Sequence, residues 1–534
     1  MSQGYFALVL HAHLPFVRHP EQDFVLEEDW LFEAITETYV PLLLMFEGLE
    51  RDGIDFRLTM SMTPPLVSML RDPLLQERYD EYLSKLEELA QLEAERNATY
   101  GHVKYLAEFY VEEFYKVRDL WERYDRDLVT AFKKFQDSGN LEIITCGATH
   151  GYLPLMQMYP EAVWAQLEVA CQHYNDNFGR WPRGIWLPEC AYYPGLERMI
   201  ADVGLRYMLT DGHGVLYAKP RPKFGTYAPI FTESGAAVFG RDHESSQQVW
   251  SAQVGYPGDP NYREFYKDLG FEADYEYIKP YIMPNGQRKN TGIKYHKITG
   301  RGLGLGDKEL YDPYWAREKA AEHAGNFMFN RERQIEGLAN VMGRPPIVVS
   351  PYDAELFGHW WFEGPWFIDY FIRKSHYDQN TFRMTHLAEY LQENPTQQVC
   401  RPAQSSWGAK GFHEYWLNET NSWIYPHLHK AAERMIELSY REPVDEVEWR
   451  ALNQAARELL LAQSSDWAFI MKTGTMVPYA VRRTRSHLLR FNRLYESLNQ
   501  GKIDEQWLES VEYMDNIFPD INYRSYRPLT AMAA

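Results

Sequence analysis

The strongest constraint on this chain is a series of short apolar runs, each ending in a polar, chemically reactive side chain. Residues 5–10 (YFALVL) lead into His11-Ala-His13, and residues 56–62 stop at Thr63-Pro64-Pro65. The runs at 141–145, 184–187, 207–210 and 347–350 lead to His150, Glu189, Asp211 and Asp353. A short continuous apolar run is the pattern of a parallel strand covered on both faces. Polar groups collected just past the C-terminal ends of such strands are how an α/β barrel assembles its chemistry. Helical patterns lie between the runs. Residues 160–178 have Pro160 at the start and Gly179 after the end, and Asp312-Pro313 opens a pattern that continues to Val341 and closes with Gly343.

A charged helical stretch from about Asp72 to Asn97 breaks the strand–helix rhythm and reads as an insertion reaching about Leu120. Beyond Cys400 no strong strand pattern recurs, and residues 427–440, 445–463, 477–499 and 505–516 read as helices. The chain therefore divides into a barrel (1–75 and 121–399), an inserted helical subdomain (76–120) and a C-terminal helical domain (400–534) that contributes to the substrate cleft. Residues 227–246 and 285–306 read as long loops. The Gly-rich GRGLGLG of the second lacks GK[ST] and does not run from a strand into a helix, so it is not a phosphate loop.

Charge narrows the partners. Lys and Arg total 55 and Asp and Glu total 75, so the net charge is −20. That sign opposes nucleic acid, whose phosphates require clustered cations. The four cysteines (Cys146, Cys171, Cys190, Cys400) are scattered without a CxxC, which fits a reducing compartment and no zinc knuckle. No 18-residue apolar stretch and no signal-peptide pattern occur, so a membrane span is not expected and the cytoplasm is the default location. Aromatics at 15% exceed what a core demands, and surplus rings suit a cleft that stacks on flat apolar faces such as those of sugars.

Glu189, in Trp186-Leu-Pro-Glu189, sits among Trp186, Cys190, Tyr192 and Tyr193, where burial or a partner tunes a carboxyl for catalysis. Asp353 lies just past its apolar run, with Glu355 as a competing assignment, and is followed by an aromatic stretch that includes Trp360. Two carboxyls ringed by aromatics meet the needs of glycoside chemistry. His11 and His13 share one face of an extended chain, so they can bind a metal or hydrogen-bond sugar hydroxyls, and His150 can join them. Ser405-Ser-Trp407-Gly, residues 413–419 around Trp416, and Asp466-Trp467 read either as domain packing or as the cleft wall supplied by the C-terminal helices.

With these residues in place, the chain resembles glycoside hydrolase family 57, and within it the 1,4-α-glucan branching members. The resemblance runs through five ordered segments: His11-Ala-His13-Leu-Pro15, Thr145-Cys-Gly-Ala-Thr-His150, Trp186-Leu-Pro-Glu189-Cys-Ala-Tyr192, Ser350-Pro-Tyr-Asp353 through Trp360-Trp361, and Trp407-Gly through Trp416 to Glu419. It implies a distorted TIM-like (β/α)7 barrel with an inserted helical subdomain and a C-terminal all-helical domain. It implies a retaining mechanism, with Glu189 as nucleophile and Asp353 as general acid/base. It places His11, His13 and His150 in the donor site, Trp250 as an aromatic gate, and Trp407, Trp416, Asp466 and Trp467 in the cleft. It also implies that Tyr227 is the tyrosine of a mobile loop that favours transfer over hydrolysis.

The expected reaction is cleavage of an α-1,4-glucan and transfer of the segment to a 6-hydroxyl, forming α-1,6 branches in glycogen-like polymer, without metal or organic cofactor. A monomer or weak homo-oligomer is expected. The nearest rival is a hydrolase or 4-α-glucanotransferase on the same scaffold. Remoter ones are a metal-dependent carbohydrate deacetylase using His11 and His13, and a non-catalytic glucan-binding protein.

Overall fold

The computed structural model describes residues 2–251 and 254–527. Its strands are β1 (Gly4–Ala12), β2 (Leu58–Met62), β3 (Leu141–Ile144), β4 (Gly184–Trp186), β5 (Tyr207–Thr210), β6 (Ile230–Phe231), β7 (Ala237–Gly240), β8 (Ile347–Asp353), β9 (Phe382–Met384) and β10 (Gln398–Val399). One sheet runs β3-β2-β1-β8 and a second contains β7-β5-β4, with every one of these neighbours parallel. A parallel bridge between Thr145 and Ile185 joins β3 to β4. Seven parallel strands thus follow one another in chain order, the strand arrangement of a (β/α)7 barrel. At the ends of the series, the Asp242 amide just after β7 donates to the Val349 carbonyl in β8. Short β6, β9 and β10 pair on the outside, β6 antiparallel to β7.

The strand β7 lies inside the stretch that reads as a loop over 227–246. Its four residues, Ala-Val-Phe-Gly, are buried, but a run this short between Gly235 and Gly240 carries little periodicity. Register places the chemistry. His11 pairs with Asp353 on one side and with Ser61 on the other, so the ends of β1, β2 and β8 lie level.

The insertion is a pair of helices, Pro73–Arg96 and Gly101–Arg123. Asp72 caps the first by accepting from the Leu75 amide and also receives Arg18. Arg118 ties the pair together through Asp80 and Glu87. The C-terminal helices are Ile424–Ser439, Glu446–Ala462, Ser465–Thr473, Val477–Gln500 and Glu505–Met514. They pack on the barrel through His19–Tyr479 and through the Thr149 hydroxyl, which donates to the Leu460 carbonyl. No helix among the described residues is long and apolar enough to cross a membrane.

Candidate active site

The site is built on strained backbone. Glu189 and His150 are non-glycine residues with φ of 60° and 57°, in the left-handed region, and Cys190 beside Glu189 has φ of 50°. Such conformations cost of order 1–3 kcal/mol each and persist where surrounding contacts over-determine them, characteristically at functional sites. Here the contacts are visible. The Trp407 amide donates to the Glu189 carbonyl at 3.0 Å, and its indole N–H donates to Glu189 Oε2 at 2.9 Å. The Ser465 hydroxyl lies 2.9 Å from Glu189 Oε1.

Three histidines form a stacked column beside this carboxyl. His13 and His150 lie face to face at 3.9 Å and 12°, and His11 stacks on Trp186 at 4.4 Å and 5°. His11, Cys146 and His150, like His13, His150 and Asp466, bring ligand-type atoms within 4.8 Å of one another. The polar edges of the column are hydrogen-bonded. His13 Nε2 is 3.1 Å from both Asp466 oxygens and Nδ1 is 3.0 Å from Thr63 Oγ1. Burial opposes charge on His13, but Asp466 outweighs it and raises the imidazole; reciprocally, Asp466 is held at about 2 despite its burial. Each group thus favours the charged form of the other. Burial pushes His11 and His150 well below the usual imidazole range, so both are neutral.

Asp353 ends β8 beside His11. Burial, followed by the nearby charges of Glu355 and Glu189, pushes its carboxyl up to about 8. It therefore holds a proton at neutral pH. Burial also raises Glu189, while the Trp407 and Ser465 hydrogen bonds pull the other way. The competing carboxyl, Glu355, is engaged elsewhere: its Oε1 accepts from the His13 amide and from the Tyr39 hydroxyl. It anchors β1 against the π-helical turn Ile35–Tyr39.

The structure brings Glu189, Asp353, His11, His13, His150, Trp407 and Asp466 together. Trp360 is 56% exposed and stacked on Phe265 at 4.9 Å, an aromatic shelf beyond the end of β8. Trp250 ends the helix His243–Trp250 and is 40% exposed. Trp416 is buried and stacks on the barrel's Tyr152 at 4.4 Å, and Trp467 is buried within the C-terminal helices, with its indole N–H on the Leu461 carbonyl and its ring against Tyr479. Tyr227 lies between β8 and β7, its side chain near Asp242 just past the end of β7. Its carbonyl accepts from the Ile347 amide at the first residue of β8, whereas Asp353 is the last residue of that strand. Thr226 beside it packs against Gly240, the last residue of β7, so this stretch reaches from the start of β8 to the end of β7.

Some participants have no sequence signal of their own. Ser61 bonds His11, and Ser465 bonds both His150 and Glu189. Arg241 lies over Trp407 and 3.5 Å from Asp211, which also pairs with His213 at 3.0 Å. Ser61 was legible only through register with His11, and Arg241 only once β7 is recognised as a strand.

A parallel-strand barrel whose strand ends carry two partly buried carboxyls among stacked rings is a carbohydrate-active site, in which one carboxyl holds a proton and the other is fixed by donors. Residues 7–403 match glycosyl hydrolase family 57, and the chain belongs to that family. Residues 427–526 match the family described as "1,4-alpha-glucan branching enzyme, C-terminal". Among solved structures, the chain is similar to the alpha-amylase AmyC of Thermotoga maritima, with 50% identity, TM-score 0.92, and coverage of 98% of this chain and 99% of that one. It is also similar to the GH57-type branching enzyme of Pyrococcus horikoshii, with 35% identity, TM-score 0.89, and coverage of 98% and 97%. A 1,4-alpha-glucan branching enzyme of Thermococcus kodakarensis is 35% identical over 97% of this chain and 77% of its own length.

Proposed function

We propose that this protein is a 1,4-α-glucan branching enzyme that works by a retaining double displacement. The observation that carries the chemistry is the pairing of a proton-bearing Asp353 with a Glu189 held by two donors, at the ends of strands in one barrel. Asp353 gives its proton to the glycosidic oxygen as Glu189 attacks the anomeric carbon; the C–O bond breaks, and a glycosyl ester forms. Ionised Asp353 then takes the proton from an incoming 6-hydroxyl, whose oxygen displaces Glu189. Asp466, paired with His13, offers its carboxylate oxygens to the donor sugar's hydroxyls, and the rings of His11 and His150 form the wall behind them. The Trp360–Phe265 shelf offers the acceptor glucan a flat apolar face.

The C-terminal match and the branching relatives favour transfer as the outcome. Residues 1–75 with 121–399 form the barrel unit in this reading, 76–120 the insertion, and 400–534 the helical unit that closes the site. Four free, buried cysteines accord with a cytoplasmic setting, where a monomer or weak oligomer extends a glycogen-like polymer. A hydrolytic second reading is favoured by one relative, titled an alpha-amylase at 50% identity.

Amylose incubation separates the two. Reducing ends are counted before and after isoamylase. Few before and many after are expected for branching; many before with no rise after establishes hydrolysis and overturns the proposal.

A further inference from the structure

We propose that Ser465, supplied by the C-terminal helical region, is a positioning residue for Glu189 and the terminal member of a hydrogen-bond relay with a single direction. The relay deepens the reading above, because it rests on Glu189 being the nucleophile.

Its members are continuous. Ser61 Oγ lies 3.1 Å from His11 Nδ1, His11 Nε2 lies 3.1 Å from His150 Nε2, His150 Nδ1 lies 2.8 Å from Ser465 Oγ, and Ser465 Oγ lies 2.9 Å from Glu189 Oε1. A carboxylate oxygen only accepts, so Ser465 donates its one hydroxyl proton to Glu189. Ser465 must then accept from His150 Nδ1–H. A neutral imidazole carries one proton, so His150 Nε2 is an acceptor and receives His11 Nε2–H. His11 Nδ1, in turn, accepts from Ser61. Every tautomer in the column follows from the charge on Glu189. The backbone fixes the same geometry: the Ser465 amide donates to the carbonyl of left-handed His150 at 3.0 Å, and Gly151 bridges Ser464. The C-terminal helices therefore orient the nucleophile as well as covering the barrel.

The function of such a relay is to keep Glu189 ionised and aimed within a site whose burial favours the neutral acid. Ionisable groups facing Glu189 are His13, His150, Asp353, Asp466, Cys146, Cys190 and Tyr152. Removing the Ser465 hydroxyl changes none of these side chains and deletes one donor to the carboxylate.

The test is the pH profile of kcat/KM on maltoheptaose for wild type, Ser465→Ala and Ser465→Thr, with NMR of imidazole nitrogens labelled with nitrogen-15. In Ser465→Ala the acid limb is expected to move up by about one pH unit and kcat to fall at least about tenfold, while the basic limb set by Asp353 stays in place. Ser465→Thr, which keeps the hydroxyl, should restore both to within about threefold of wild type. The wild-type spectrum should show neutral His150 in the Nδ1–H form and neutral His11 in the Nε2–H form between about pH 6 and 8. An unmoved acid limb, no rescue by threonine, or His150 in the Nε2–H form overturns the relay. The spectrum needs no substrate. Correct tautomers in a protein that leaves every α-glucan untouched would uphold the relay and overturn the glucan reading.

Discussion

At the residue scale, Asp353 shows function opposing stability. Its ordinary pKa in an unfolded chain is 3.8, and the folded site raises it to about 8. Between those values the folded state holds a proton that the unfolded chain has released. The sign follows: any stability associated with this group is fully present below about pH 4 and is lost as pH rises toward 8. Asp353→Asn removes that loss and keeps a neutral side chain of the same shape. We expect the variant to lose catalysis by about 10³-fold or more yet to be more stable than wild type at pH 8, by at least about 1 kcal/mol, with the difference vanishing near pH 4. Denaturant titrations at both pH values measure it. Equal stabilities at pH 8 would mean that Asp353 is ionised in the resting site and cannot be the acid.

At the scale of elements, the site depends on two irregular segments meeting. The π-helical turn Ile35–Tyr39 carries Tyr39 to Glu355 and Glu37 to His359 and Arg263. Extra-residue turns of this kind occur within helices at functional sites. Gly358 closes against the turn with φ of 115°, and a Cβ there would lie 1.8 Å from the Glu37 carbonyl oxygen. Backbone contact and a positive φ both forbid a side chain, so Gly358→Ala should destabilise by about 3 kcal/mol and disturb the Tyr39–Glu355 anchor. Chemical denaturation checks the first effect and a lowered kcat the second; a neutral substitution would show that the turn yields freely. The sequence was readable where one local signal sufficed. Six strands, both catalytic candidates and the histidine pair follow from apolar runs and what ends them. The turn, β7, Ser61 and Ser465 were not readable, because each acquires its role from a partner far away in sequence: only tertiary register brings Ser61 to His11 and Ser465 to Glu189. Trp416 illustrates the converse: a ring in loop-like sequence packs inward, stacked on Tyr152 of the barrel.

At the scale of the molecule, the barrel and the C-terminal helices share polar contacts that neither satisfies alone. Thr149 and His150 bond Leu460 and Ser465, the Phe16 carbonyl accepts from Arg483, and Asp72 accepts from Asn516. Tyr152 stacks on Trp416 while its hydroxyl meets His413. Asp466 crosses the same boundary to bond His13 and raise its imidazole. Truncation before the C-terminal helices would therefore bare an apolar barrel face and remove both Ser465 and Asp466 from the site. Buried groups left without partners cost about 1–3 kcal/mol each, so the loss exceeds what a domain of ordinary stability tolerates. The full chain is expected to melt in one calorimetric transition, and a chain ending at residue 403 is expected to bind a hydrophobic dye strongly and turn over no glucan. Two separate transitions in the full chain, or a truncated chain that melts cooperatively and still cleaves amylose, would show that the barrel stands alone and that the site is complete without its C-terminal wall.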